Sequence, residues 1–290
     1  MLYKLHKKTI KTALIWAQKF LHDFSPTFYL DTEILLSYCL KKDKEFLYMH
    51  PEYIISTTNF DKYSKLLELR KKHIPISYII NNKEFYGRNF FINAGALIPR
   101  PETEGIIDIV KQQMKTSFAN RKKICLLDIG TGSGCIAITL KAELQKLVSV
   151  TALDISSQAL KIARYNHSII KPGKVVFKKI DIFAKDALTK KYDIITSNPP
   201  YLNSNEMKNL SEDISEHEPK VALFGGIDGL IFYYRLEEII SQYLKQKGIA
   251  VVELNNSISK EITAIFSRKN YCKIIKDNNH LSRYILIKKI

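Results

Sequence analysis

The sequence predicts an α/β protein in which a doubly wound, mostly parallel sheet follows a small helical bundle. Three observations carry that prediction. The first 75 or so residues contain no glycine and repeat their apolar positions at helical spacing. From residue 98 onward, short β-branched runs alternate with helical stretches, and unbroken apolar strands between helices mean a sheet covered on both faces. A glycine cluster ends the first of those strands, where open α/β sheets bind ligands.

The elements follow in order. Ile10, Ala13, Leu14, Ala17 and Leu21 share one face of a first helix, and Trp16 on the same helix reads as core. Ser25-Pro26 supplies an N-cap and a proline at the first helical position, so a second helix starts there. Its buried stripe is Leu30, Ile34, Leu35 and Tyr38. A third runs from Phe60 to Lys72, with Leu66, Leu67 and Leu69 among lysines. Ile76–Ile80 and Phe85-Tyr86 flank Asn81-Asn82 and read as a β-hairpin, which Phe90–Ile92 extends and Asn93-Ala94-Gly95 ends. Strands are expected at Ile124–Asp128, Val148–Asp154, Val175–Phe177, Tyr192–Thr196, Gly248–Glu253 and Tyr284–Ile287, with helices at Cys135–Leu144 and Ser157–Asn166. The expected divisions are 1–77 for the bundle, 78–97 for a hairpin linker and 98–290 for the α/β domain.

Composition narrows the class. The chain has 290 residues, 46% of them apolar, with 11 Gly and 9 Pro, which excludes collagen-like and low-complexity chains and argues against disorder. No stretch approaches the ~20 apolar residues of a membrane span. The apolar run Ala13–Ala17 stops at Gln18-Lys19, too short for a secretory signal. A soluble cytoplasmic protein is expected. Cys39, Cys125, Cys135 and Cys272 have no zinc or dithiol spacing and read as small core hydrophobes. The net charge is +16, shared by both parts of the chain. Its clusters are short: Lys7-Lys8, Lys41-Lys42, Arg70-Lys71-Lys72 and Arg121-Lys122-Lys123. They read as a solvated lysine-rich surface, the alternative being steering toward an anionic partner.

Asp128-Ile129-Gly130-Thr131-Gly132-Ser133-Gly134 joins the first α/β strand to its helix. Glycines at alternate positions allow a tight turn and let a ligand lie against the backbone. A nicotinamide site wants its third glycine at position 135, which is Cys135, and a P-loop wants a lysine that is absent. Asp154 ends the next strand, 24 residues after Gly130, where a carboxylate can accept from ribose hydroxyls. Gly-x-Gly-x-Gly with a strand-end acid is the pattern of class I S-adenosylmethionine (AdoMet) methyltransferases of Rossmann-like fold.

The most specific motif is Asn198-Pro199-Pro200-Tyr201, directly after the strand Tyr192–Thr196. Two prolines hold a rigid loop at the sheet's carboxyl edge. An asparagine oxygen and a prolyl carbonyl can accept both hydrogens of an NH2 group, while Tyr201 offers a flat face. Such a site suits a nitrogen conjugated to a π system, either an amide or the exocyclic amine of a base. Gripping the two hydrogens turns the lone pair outward, so positioning and electrostatics supply the acceleration without a strong base.

At these residues the sequence resembles the release factor glutamine methyltransferases of PrmC/HemK type. The resemblance covers nearly the whole chain. It rests also on Glu84-Phe85-Tyr86-Gly87, on Leu97 to Glu104 (LIPRPETE), on Glu218-Pro219 with Ala222 to Leu230, and on Asp277 and Arg283. It implies a helical substrate-recognition domain, a hairpin linker and an AdoMet-binding domain. The implied reaction is methylation of the glutamine amide in the Gly-Gly-Gln motif of class I peptide chain release factors, with AdoMet as cofactor. By position, Gly130, Thr131, Gly132, Ser133, Gly134 and Asp154 would bind AdoMet, and Ile182 would contact adenine. Asn198 would touch both ligands, and Asn198, Pro199, Pro200 and Tyr201 would hold the glutamine. Asn198, Pro199 and Tyr201 form the expected catalytic set, with no metal. Where the family reads Glu-Ile-Gly, this chain has Glu253-Leu254-Asn255-Asn256, which leaves the role of that loop open.

Three readings stay open. Arg100, Glu102 and Thr103 either shape the cofactor pocket or cap the following helix. His217, with no second histidine at ligand spacing, reads as a solvated loop residue. A nucleic-acid amino-methyltransferase acting on adenine or guanine is the alternative function, since the same loop serves that chemistry. It would need to flip its base and read flanking sequence, and the α/β domain has little room for a recognition module. No stable nucleic-acid complex and no membrane partner are therefore expected. A non-catalytic AdoMet-binding scaffold is disfavoured by the intact Asn198 loop.

Overall fold

The computed structural model describes residues 8–121, 123–184 and 188–289. Lys7 and Lys122, members of two basic clusters, lie outside them, as do the first residues of the 1–77 range and the last of 98–290. The chain forms two compact units. Residues up to Asn82 together with Ser211–His217 make one, and Lys83–Leu210 with Glu218 onward make the other.

In the first unit, α1 (Ile10–Leu21) opens with a capping box between Thr9 and Thr12 and buries Ile10, Ala13, Ala17 and Leu21. The second helix, α2 (Phe28–Leu40), starts later than Ser25-Pro26 predicts. Ser25 Oγ is taken up elsewhere: it accepts from Thr27 N at 3.2 Å and donates to Asp31 Oδ2 at 2.6 Å. The buried face of α2 also differs from the predicted stripe. Leu35, Leu36 and Cys39 go inward with Asp31 and Thr32, while Leu30 and Tyr38 are 44% and 40% exposed. The reason is polar. Arg70, near the end of a later helix, is 3% exposed and donates through Nε to Asp31 Oδ2 at 2.6 Å. Asp31 must face its cation, and α2 turns with it.

The next helices are α3 (Lys44–Met49), α4 (Thr57–Lys71) and α5 (Ile76–Ile79). The last corrects the predicted hairpin, because Ile76–Ile80 is helical. Ile76, Ile79 and Ile80 all pack into the bundle core, which an alternating strand would not permit. The hairpin lies further on, as β1 (Lys83–Phe85) and β2 (Arg88–Phe90), with Phe85 opposite Arg88. A two-residue turn of this kind needs positive φ at both central positions. Tyr86 (φ 52°) and Gly87 (φ 70°) supply it. Phe85 and Phe90 are fully buried in the core of the second unit, so the hairpin belongs to that unit.

The second unit continues with α6 (Glu104–Thr116), β3 (Ile124–Ile129), α7 (Cys135–Leu144), β4 (Val148–Asp154), α8 (Ser157–Ile170), β5 (Val175–Lys179) and β6 (Tyr192–Ser197). After α9 (Ser204–Lys208) the chain contributes α10 (Glu212–Ser215) to the helical unit. It then forms α11 (Ile231–Tyr243), β7 (Leu244–Glu253), α12 (Ser259–Ser267), β8 (Asn270–Lys276) and β9 (Ser282–Lys289). The seven strands run in the order β5-β4-β3-β6-β7-β9-β8. All pairs are parallel except those of β9 with β7 and β8. Along β3, Ile124 and Leu126 enter a core with α6 and α7, while Leu127 and Ile129 enter the opposite core with α11 and α12. Both faces are covered, as the unbroken apolar strands predict. In this unit, strand β8 and helices α9, α11 and α12 are additions to the predicted set, while α6 is the helix expected after Pro101. Among the described residues, no helix is long and apolar enough to cross a membrane.

Two basic clusters prove partly internal. Arg70 also pairs with Asp213 at 2.7 Å, and Arg121 pairs with the buried Asp193 at 2.6 Å. Cys39 and Cys135 are buried, while Cys125 and Cys272 are half-buried. Replacing Arg70 by leucine should strip Asp31 of its cation in a dry site, which costs ~3–5 kcal/mol. Trp16, the single tryptophan, lies in the same bundle core. Its fluorescence in a denaturant titration should report that loss as an earlier transition of the helical unit.

Candidate active site

The strand order reverses at β3, which has β4 on one side and β6 on the other. That is a topological switch point, and a cavity opens at the strands' carboxyl ends there. It spans about 1050 Å³ counting the space at its open mouth, and Gly130, Gly132, Asp154, Ile182, Asn198, Pro199 and Pro200 are among its walls. Thr131, Ser133, Gly134 and Tyr201 are not. Gly134 instead packs: a Cβ there would meet Ile138 Cδ1 at 2.8 Å and Ala163 Cβ at 3.1 Å. Thr131 N donates to Leu153 O at 2.8 Å, and Ser133 O accepts from Asn166 Nδ2 at 2.9 Å, so both tie the loop to its neighbours.

The residues present fit AdoMet. A Cβ on Gly132 would meet nothing within 4 Å, and one on Gly130 only Asn198 O at 3.9 Å, so the loop presents bare backbone to open space. All three loop glycines have positive φ, between 56° and 83°. Asp154 accepts from Gly132 N and Ser156 N, both at 2.8 Å, which aims its carboxylate beside the loop. Burial holds its pKa above the ordinary aspartate value. Ile182, Ile155 and Phe183 add apolar wall, and Arg235 donates to Ile182 O to hold that turn.

The Asn198–Tyr201 loop is braced from behind. Leu202 N donates to Leu223 O at 2.9 Å and Gly225 N to Leu202 O at 2.8 Å. A Cβ on Gly225 would meet Tyr201 Cα at 2.7 Å, and one on Gly229 would meet Tyr201 O at 2.5 Å. Only glycine lets the second segment lie so close. Asn198 Nδ2 donates to Thr103 Oγ1 at 3.1 Å, and no described residue donates to Asn198 Oδ1. Burial pushes the Tyr201 phenol up to about 12, so it stays neutral at ordinary pH.

A family model described as the PrmC N-terminal domain matches residues 12–80, and one described as the methyltransferase small domain matches 103–226. The chain is 36% identical to the release factor glutamine methyltransferase of Clostridium acetobutylicum over 96% of this chain and 97% of that one. It is 36% identical to that of Bacillus subtilis over 96% and 97%. The chain belongs to the release factor glutamine methyltransferase family. The crystal structure of a methyltransferase from Pyrococcus furiosus covers 71% of this chain and 91% of its own at 21% identity, with a TM-score of 0.50, and so shares the fold. The α/β unit is a class I methyltransferase domain, and the enzyme's cofactor is AdoMet.

Within this family site, several residues act in ways their motifs do not announce. Thr103 precedes α6 without a side-chain bond to it, and instead donates to the buried Glu253 Oε2 at 2.8 Å. Arg100 Nη2 donates to the buried Glu218 Oε1 at 2.6 Å, bracing the segment before α6, and Glu102 is exposed. None of the three lines the cavity and neither Arg100 nor Thr103 makes a side-chain cap bond; Thr103 reaches the cavity wall through Asn198. His217 is half-buried with Nε2 at 2.9 Å from Lys72 O, which makes it a packing residue of the helical unit. In the departing loop, Asn255 Nδ2 donates to Glu206 Oε1 at 2.9 Å and Asn256 Oδ1 accepts from Ser282 N at 3.0 Å. Asn255 has φ −79°, so no glycine is required there. Asp128, at the head of the glycine loop, is fully buried, and burial pushes its pKa up to about 7.

Asp154→Ala removes a carboxylate from the cavity wall, with its bonds to Gly132 N of the loop and to Ser156 N. Charge-assisted bonds contribute ~1.5–3 kcal/mol each, so AdoMet affinity should fall at least ~tenfold by calorimetry, with the far-UV spectrum unchanged. Parental affinity would remove Asp154 from the cofactor site.

Proposed function

We propose that this enzyme transfers a methyl group from AdoMet to the side-chain amide nitrogen of the Gly-Gly-Gln glutamine in class I peptide chain release factors. The observation that carries the reading is Asn198. Its Nδ2 end is engaged by Thr103 while Oδ1 receives no bond from the described residues, leaving an acceptor at the cavity wall. The names of the bacterial relatives support the same substrate.

AdoMet supplies the electrophilic sulfonium methyl. Gly130, Gly132, Asp154 and Ile182 hold it, with Asn198 between the two ligands, and Thr131, Ser133 and Gly134 keep the loop in shape. Asn198 Oδ1 and the Pro199 carbonyl accept the two hydrogens of the substrate NH2, and Pro200 keeps the loop rigid. An amide lone pair is delocalised, so fixing both N–H bonds exposes the nitrogen to in-line transfer. Tyr201, neutral at ordinary pH, offers a flat face and no base. None is required, because the methylated amide nitrogen can release its proton after transfer.

The helical unit, on this reading, recognises the release factor. It carries no glycine turn and leaves Tyr48, Met49 and Ile54 64%, 74% and 72% exposed. Exposed apolar side chains of this kind suit a protein partner. The compartment is the cytoplasm, where translation terminates.

The test is label transfer from methyl-labelled AdoMet to a release factor or to total nucleic acid. Label should enter the factor, and fail to enter one whose Gly-Gly-Gln glutamine is changed to glutamate. Label in nucleic acid instead would favour the base-methylating alternative. Asn198→Ala should lower turnover ~10²–10³-fold, the scale for losing one transition-state partner, with AdoMet affinity little changed. A Met49→Ser/Ile54→Ser variant should raise KM for the factor on the order of tenfold, the scale of an interface anchor, and leave AdoMet binding alone.

A further inference from the structure

An asparagine amide has two ends, and only one of them suits this reaction. Turned by half a rotation about its last bond, Asn198 would aim an NH2 at the hydrogens it must accept. What selects the orientation lies outside the cavity wall. Asn198 Nδ2 donates to Thr103 Oγ1 at 3.1 Å, and Thr103 Oγ1 donates to Glu253 Oε2 at 2.8 Å. A hydroxyl has one hydrogen, and a carboxylate can only accept. Thr103 therefore commits its hydrogen to Glu253 and offers only lone pairs to Asn198, which must answer with N–H.

We propose that Thr103 and Glu253 form a positioning relay that locks the Asn198 amide with Oδ1 toward the substrate nitrogen. The inference rests on the proposed role of Asn198. Two facts set it apart from helix capping or packing. Thr103 makes no side-chain bond to α6, and both Thr103 and Glu253 are buried, at 3% and 1% exposure. Keeping a carboxyl dry at the end of β7 is costly unless its polarity is used.

The relay has a direction set by proton content. Burial pushes Glu253 up to about 7, with Arg283, Arg100 and Glu102 the charged groups around it, and with Tyr201, Tyr233 and Tyr284 feeling its charge. Above that pH the carboxylate accepts from Thr103, and the amide is held with Oδ1 outward. Below it the protonated carboxyl can donate to Thr103, whose own hydrogen is then free to seek Asn198 Oδ1. Turnover should rise with pH through about 7.

The experiment compares Thr103→Val, Thr103→Ser and Glu253→Gln in the full chain, with release factor as substrate. Thr103→Val should lose ~10²-fold in kcat, the scale of a misplaced reacting group, with AdoMet affinity by calorimetry within about twofold of parent. It should also lose the rise across pH 7, as should Glu253→Gln, whose amide does not titrate. Thr103→Ser should restore both turnover and the pH step. In an Asn198→Asp background, where both ends are acceptors, Thr103→Val should cost little further. Parental kcat and pH profile in Thr103→Val, a serine variant as impaired as the valine one, or an equal cost in the Asn198→Asp background would each overturn the relay. A second readout needs no substrate. The 15N-labelled Asn198 side-chain amide should exchange slowly at pH 8 in the parent and fast in Thr103→Val. Unlabelled release factor with that slow exchange intact would sink the proposed substrate and leave the relay standing, whereas equal exchange in both proteins would sink the relay itself.

Discussion

One pairing register places the whole site. Ile129 on β3 stands opposite Leu153 on β4 and Ser197 on β6, so the next residues of the three strands are Gly130, Asp154 and Asn198. Three chemistries thus arrive side by side at one edge: a bare backbone, a carboxylate and an amide. A slip of one residue in any strand would reverse its side chains between the two cores and displace its site residue. The full burial of both faces of β3 is what forbids that slip. Site geometry here is a consequence of core packing.

Around that edge, the molecule spends buried charge on orientation. Asp154 ties the glycine loop to the end of β4, accepting from Gly132 N with one oxygen and from Ser156 N of its own turn with the other. At the opposite end of the sheet, Asp193 accepts from Cys125 N and pairs with Arg121 and Lys245, tying β6 to β3 and β7. In the helical unit, Arg70 gathers Asp31, Asp213 and Ser25. Removing one member of such a group leaves the others dry and unpaired, so each behaves as a unit. Arg70, Arg121 and Lys245 cancel against Asp31, Asp213 and Asp193, so the +16 surplus is carried by other residues.

The Asn198–Tyr201 loop at the cavity wall is braced largely from outside itself. Its rigidity comes from two prolines and from Gly225 and Gly229, which bring another backbone segment within reach of Tyr201. The glycines after Leu223 therefore do for this loop what Gly130 and Gly132 do for the cavity. In both places the absent Cβ is the feature. The difference is the occupant, protein backbone in one case and open cavity in the other.

The sequence by itself determined the fold class, the strands β3 to β7 and β9, the glycine loop and the Asn198 loop. Periodicity, β-branching and Gly or Pro at turns act within a few residues, so they can be read without knowing what lies across the core. What lay beyond it depended on distant partners. Ile76–Ile80 has strand composition but became helix because three isoleucines met one core. The face of α2 followed Arg70, which lies 39 residues from Asp31. Thr103 and Glu253, 150 residues apart, became a pair only when β7 finished beside α6. The same holds for the reach of Asp154 to Gly132. Local rules specify which residue types can do the chemistry, and the tertiary structure alone decides which of their atoms face the reaction, because a hydrogen bond is directional and its partner is fixed by the fold.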